Sequence, residues 1–320
     1  MKTKIRKEMA PVARRVRAYF APVDRAIGAP TVFDPARAFD LDAPCAPWID
    51  LGAIDNFCRT PATKVQAVCR GAKAAAAAQF RSRLEARVEF DFREWGKLQM
   101  ALAAGSQHMN VLEEAEDASA CASGGTAVSA VPLAADSTAG ELVFAAAPPF
   151  AAGDLLAVDI DYADQTGYVG TGIAAAFVRD PTDVQHEADY IRRVTFNVGR
   201  VATVSGTTVT LEQALLGGVP PAGAAAQKVV AFVDREGGSF FQEWSALFVL
   251  PEEAGGRVCF HYPRLQAAAP AQETAIEIAD PLRSYALHAA WLALPVTDPN
   301  DGEQVVCYRS HAPVRKCGIF

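Results

Sequence analysis

Between Leu84 and Phe92 the side chains alternate without a break, with Leu84, Ala86, Val88, Phe90 and Phe92 in one set and Glu85, Arg87, Glu89 and Asp91 in the other. Successive side chains of a strand point to opposite faces, so a period of two demands a half-buried β-strand; a helix would scatter the same apolar residues around its circumference. The pattern recurs. Leu156, Val158, Ile160 and Tyr162 alternate with small or acidic residues, as do Val194, Phe196 and Val198 with Thr195 and Asn197. Further strands are expected at Gln227 to Asp234, Trp244 to Leu250, Arg257 to Tyr262, Glu273 to Ile278, Tyr285 to Leu294 and Glu303 to Arg309, punctuated by Ser205-Gly206, Gly217-Gly218, Gly255-Gly256 and Asp301-Gly302. Helical spacing is confined to Trp95, Leu98 and Leu102, with Gly105 placed as a C-terminal cap, which predicts one short amphipathic helix over about 93 to 104. Residues 105 to 120, with Glu113, Glu114, Glu116 and Asp117, read as an acidic loop. Many short strands and one helix imply a mainly β chain built as a sandwich or barrel.

At 320 residues, 51% of them hydrophobic, the chain is long enough for one large domain or two of ordinary size. Ala-rich stretches such as Ala74 to Ala78 raise the hydrophobic count while adding little burial per residue. The apolar runs fall short of the roughly 20 residues a membrane-spanning helix needs, and the basic start lacks a continuous apolar stretch, so a soluble, unexported product without membrane insertion is expected. Seven scattered cysteines do not make a disulfide framework and read as reduced thiols, with Cys317 near the chain end as the one candidate for oxidation between subunits. The net charge of −7 is unevenly spread: residues 1 to 30 carry eight basic and two acidic residues, +6, leaving −13 elsewhere. Without aromatic residues interleaved for base stacking, a basic arm carrying Lys4, Arg6, Lys7, Arg14, Arg15 and Arg17 is better matched to the acidic body of a neighbouring subunit than to nucleic acid. Five prolines between residues 21 and 47 mark the rest of this region as extended.

Tests for catalytic chemistry return hairpins and packed cores. No G-x-S-x-G elbow, H-E-x-x-H, C-x-x-C or Walker loop is present, and Gly167, Gly170 and Gly172 stand in the wrong order for a dinucleotide cradle. Cys259 and His261 share a strand face, with His288 or Cys307 as conceivable further ligands, but nothing in the sequence brings four ligands together. Asp298 to Glu303 begins like a calcium loop yet has Arg309 where the bidentate Glu belongs, so an Asp-Gly turn is expected there. No catalytic residue, metal ligand or cofactor is expected.

Trp48-Ile-Asp-Leu-Gly52-Ala-Ile, then Gly71, the strand to Phe92, the helix to Ala104 and Gly105-Ser106 resemble the core order of tailed-phage major tail tube proteins. His261-Tyr-Pro-Arg264-Leu, Tyr285 to Pro295, Asp298 to Glu303 and Cys307 to Pro313 resemble the closing strands of large phage tail proteins. The resemblance implies a β-sandwich or barrel with one flanking helix, six copies per ring, and rings stacked around a channel for DNA. It implies self-association, contacts with sheath, tape-measure, terminator and distal tail proteins, DNA only in transit, and a place in the virion tail after synthesis in the host cytoplasm. On this reading residues 1 to 47 form an extended arm, 48 to 145 and 228 to 320 the tube core, and 146 to 227 an inserted β-rich subdomain. Glu85, Arg87, Glu89 and Asp91 become candidates for the channel lining, since a negative wall repels phosphate. The alternatives are another virion component, such as a connector, distal tail or capsid-decoration protein, and more remotely a sugar-binding or hydrolytic β-protein.

Overall fold

The computed structural model describes residues 16–24, 29–45, 47–61, 63–70, 75–92, 96–104, 107–113, 128–160, 175–176, 197–235, 243–251, 256–268, 272–274 and 286–312. The chain divides into two units, one comprising Met1–Asp24, Gly28–Trp95 and Glu243–Phe320, the other Arg25–Ile27 and Gly96–Gln242. In chain order the first unit contributes β1 (Val16–Asp24), β2 (Ala29–Pro30), β3 (Ile49–Pro61), β4 (Lys64–Arg70), β5 (Ala75–Arg83) and β6 (Ala86–Phe92). The second holds α1 (Lys97–Ala104), β7 (Gln107–Leu112), β8 (Val131–Pro132), β9 (Glu141–Val143), β10 (Leu155–Ile160), β11 (Ala175–Ala176), β12 (Val198–Ser205), β13 (Thr208–Leu211) and β14 (Ala224–Arg235). The chain then returns to the first unit with β15 (Glu243–Pro251), β16 (Arg257–Ala267), β17 (Gln272–Thr274), β18 (Ala286–Ala293), β19 (Val296–Thr297), β20 (Gln304–Val305) and β21 (Tyr308–Ala312).

The expected mainly β architecture is present as a closed barrel. Six antiparallel strands pair in the circuit β1, β3, β6, β18, β16, β15 and back to β1, with the contact of β16 residues Leu265 to Ala267 against β18 completing the ring. The interior is solid. Phe20 on β1 meets Phe90, Trp244, Phe248 and Trp291 at centroid distances of 6.3, 6.0, 6.2 and 5.4 Å, mostly edge to face. Large and small residues face one another across the registers, Ala246 lying between Phe20 and Tyr262, and Ala289 opposite Phe90. Pairing large with small residues across these registers lets the rings interdigitate without overpacking a narrow barrel.

The prolines between residues 21 and 47 do not mark an arm. Val16–Asp24 is a central barrel strand whose Ala18, Tyr19, Phe20 and Ala21 are fully buried. Residues 29 to 48 fold back over the outside of β1, β15 and β16, where Phe33, Phe39 and Trp48 pack on Tyr19, Leu247, Val249 and Cys259. This strap is tied by Tyr19 Oη donating to the Leu41 carbonyl at 2.9 Å, Arg257 Nη1 to the Phe39 carbonyl at 2.7 Å and Thr31 Oγ1 to the Pro22 carbonyl at 2.9 Å. The strap gives β1 and β15 two dry faces, which removes the alternation and leaves a continuous apolar run that pattern reading does not separate from linker.

Other boundaries also shift. Within the described residues the helix is Lys97–Ala104, and the expected acidic loop begins with a strand, Gln107–Leu112, paired to β14. The compact second unit spans residues 96 to 242, wider than the expected insertion of 146 to 227, because β7 and α1 pack on β14. Its sheet runs β11, β7, β14, β10, β12, β13, β9, with β8 also on β14. Leu142, Phe144, Leu156, Val158, Val201, Val209 and Leu211 form its larger core. Gly199 makes room there: a β-carbon would sit 2.7 Å from Leu211 Cδ1, so any larger residue would force that leucine side chain to move.

Since Phe20 touches four rings from three other barrel strands, Phe20→Ala is expected to cost about 3–5 kcal/mol in urea unfolding. A loss under about 1 kcal/mol would show that β1 is peripheral.

Candidate assembly surface

Strand β6 displays the predicted division, with Ala86, Val88, Phe90 and Phe92 buried and Arg87, Glu89 and Asp91 on the outer face of the barrel. Glu85 lies half-buried just before the strand. The acidic side chains are more compensated than the sequence suggests. Arg87 Nε pairs with Glu89 Oε1 at 2.7 Å, and Asp91 accepts from Asn56 Nδ2 at 2.6 Å and from His288 Nδ1 at 2.7 Å. Asn56 and His288 were not legible as neighbours of Asp91, because both depend on register: His288 stands directly opposite on β18, and Asn56 lies in a β3 irregularity between Asp55 and Cys58. Asn56 has φ +51°, a left-handed conformation that Asn tolerates better than most residues, and this bulge turns its amide toward Asp91.

Of the basic candidates, Lys4, Arg6, Lys7, Arg14 and Arg15 lie outside the described residues. Arg17 is on β1 and is engaged within its own chain, with Nη1 2.5 Å from Asp42 Oδ1 and Nη2 bonded to Asp50. Burial opposes its charge, but the two carboxylates outweigh that and raise its pKa above the ordinary value. Arg17 therefore clasps the strap to the barrel within its own chain.

Cys259 and His261 do share a face, and that face is the buried one beneath the strap. His261 Nε2 lies 3.2 Å from both Ser245 Oγ and the Thr31 carbonyl, and Ser245 Oγ donates to the same carbonyl at 2.6 Å. A carbonyl only accepts, so Nε2 carries the proton and cannot serve as a base toward Ser245. The trio is a structural tie and not a nucleophilic pair. His288 sits on the outer face with Asp91, while Cys307 lies near Arg59 and Tyr262, so the four residues do not converge. Among the described residues no group of three or more His, Cys, Asp or Glu is placed to hold a metal ion. The 298–303 segment is a turn in which Asp298 accepts from Asn300 and from Tyr308 Oη and has a pKa below the ordinary value, first through the Asn300 backbone bond.

The feature that sequence reading missed is the hairpin β4–β5. Its two strands pair only with each other, from Lys64↔Arg83 to Arg70↔Ala75. Every side chain described on it is exposed, including Val65 at 54%, Val68 at 40% and Phe80 at 50%. Its signal was weak because the Ala run from 74 to 78 has no period. An isolated two-stranded ribbon is marginally stable in water, and exposed aliphatic and aromatic side chains on it call for a covering surface.

No protein-family model and no curated protein matches this chain. Among the described residues no helix is long and apolar enough to cross a membrane.

Burial pushes the His261 pKa down to about 4, against a Thr31 contact that favours the charged form. The unfolded chain takes up this proton near 6.5 and the folded chain only near 4. Stability from this group is therefore complete above about pH 6.5, declines as the pH falls toward about 4, and changes no further below that. The loss is on the order of 3 kcal/mol. Urea unfolding at pH 7 and pH 4.5 should show a smaller difference for His261→Gln than for the wild type; equal differences would place the pH sensitivity elsewhere.

Proposed function

We propose that this chain is a structural subunit that assembles with copies of itself, and that its assembly is the stacked-ring tail tube of a phage. The observation that carries the self-assembly reading is the β4–β5 hairpin: it is exposed along its described length, yet carries Val65, Val68 and Phe80. The resemblance of the segments around Trp48, Phe92, His261 and Tyr285 to tail proteins supplies the finer part of the reading.

The packed interior constrains how such a tube would be built. Phe20, Phe90, Trp244, Phe248 and Trp291 fill the subunit's own barrel, so a DNA channel must lie between copies, lined by outward faces. In this reading Glu85, Arg87, Glu89 and Asp91 line it. The set holds three carboxylates against one guanidinium, with Arg87 paired to Glu89. Cyclic closure would pair surfaces that a monomer leaves exposed, and the same chemistry would serve a connector or distal tail ring with a different copy number.

Negative-stain electron microscopy of concentrated protein should show hollow tubes or rings; particles that remain single at millimolar concentration would overturn the reading. Within assembled tails, replacing Glu85, Glu89 and Asp91 with Lys should slow DNA ejection, more at low ionic strength, where charge is less screened. Unchanged ejection from intact particles would remove these residues from the channel.

A further inference from the structure

Residues 64 to 83 contain Lys64, Arg70, Lys73, Arg81 and Arg83 and no Asp or Glu, a charge of +5 in twenty residues. The whole chain carries −7, so everything outside the hairpin carries −12. The ribbon is thus a cationic limb on an anionic body. Its register places Gln66 opposite Phe80 and Val68 opposite Ala78 on one face, with Val65 opposite Arg81 and Ala67 opposite Gln79 on the other. Each face therefore offers an exposed apolar side chain beside small or polar neighbours.

We propose that the β4–β5 hairpin docks on an acidic surface of a second copy of this chain, with Phe80 and Val68 as apolar anchors and the hairpin's positive charge selecting the partner. This rests on the self-assembly reading and adds what the limb recognises. Two features favour a protein occupant. Burying Phe80 and the valines needs a dry, shape-matched surface, and every copy already supplies a body of opposite charge. The same charge separation keeps two hairpins from pairing with each other, because like charges would face one another across the contact.

Sedimentation velocity of the full chain tests this, in 50 and 500 mM NaCl, with Arg81→Glu/Arg83→Glu, Arg81→Gln/Arg83→Gln and Phe80→Ser. Circular dichroism and thermal melting verify the fold; the glutamine pair serves if charge reversal perturbs it. The expected result is wild-type association that weakens about tenfold or more at the higher salt, and about as much in either arginine variant at the lower salt. If Phe80→Ser abolishes association while both arginine variants associate like the wild type at both salts, assembly through the hairpin stands and the charge-selected docking falls. If the wild type stays monomeric throughout, both readings fall. A 30-base-pair DNA duplex is included in a gel-shift arm: retardation by the wild type that is lost in the reversed variant would make nucleic acid the occupant and overturn the proposal.

Discussion

Closure of the barrel is the constraint on which the rest of the first unit depends. Once Leu265 to Ala267 of β16 pair with Ala293 to Trp291 of β18, six strands share one interior with no free edge between them. That interior admits few large side chains, and Phe20 occupies its middle, touching rings from β6, β15 and β18. Backbone hydrogen bonds are satisfied around the circuit, so the strands gain from pairing and packing together rather than in sequence. A closed circuit also joins distant parts of the chain: β1 must find β15 more than two hundred residues later, with the second unit folded from the stretch between. Such non-local pairing costs loop entropy before it is rewarded, and the aromatic interior supplies the reward.

The two faces of the barrel wall then take different roles. Over β1, β15 and β16 the strap adds a second apolar layer, fixed by the Arg17 clasp and by the Ser245, His261 and Thr31 tie. Around β6 the wall stays wet, and its acids are held by Arg87, Asn56 and His288. Polar groups on that face are positioned without being buried, which suits a surface that meets solvent. The hairpin β4–β5 belongs to neither layer. It leaves the barrel wall after β3 and returns to it at β6, so an insertion at this point extends the molecule without disturbing the circuit.

Much of this was legible in the residues. The alternation from Leu84 to Phe92 correctly separated the dry face of β6 from the wet one, since strand geometry alone enforces that division. The strands at Arg257, Trp244 and Tyr285 were found within a few residues of their observed positions for the same reason. Where two layers cover a strand the argument loses its footing: Val16–Asp24 shows no polar face, and pattern reading places it in the extended arm beside its prolines. The first half of β5 failed for the opposite cause, because Ala75 to Ala78 offer neither a polar nor a bulky set to define a period. Asp91 was placed on the right face, but Asn56 and His288 come from strands far away in sequence and reach it only through register.

By itself, then, the sequence determined the mainly β class, the wet and dry sides of the alternating strands, and the charge carried by each segment, because these follow from local geometry and from side-chain chemistry. Tertiary structure decided that the sheet closes into a six-stranded barrel, that the proline-rich segment is a strap and not an arm, that Arg17 is bound within its own chain, and that the cationic stretch from Lys64 to Arg83 stands out as a ribbon. Each of these is a pairing between residues far apart in the chain. Such pairings are selected by the joint filling of one interior, a property of the whole assembly of strands and not of any segment read alone.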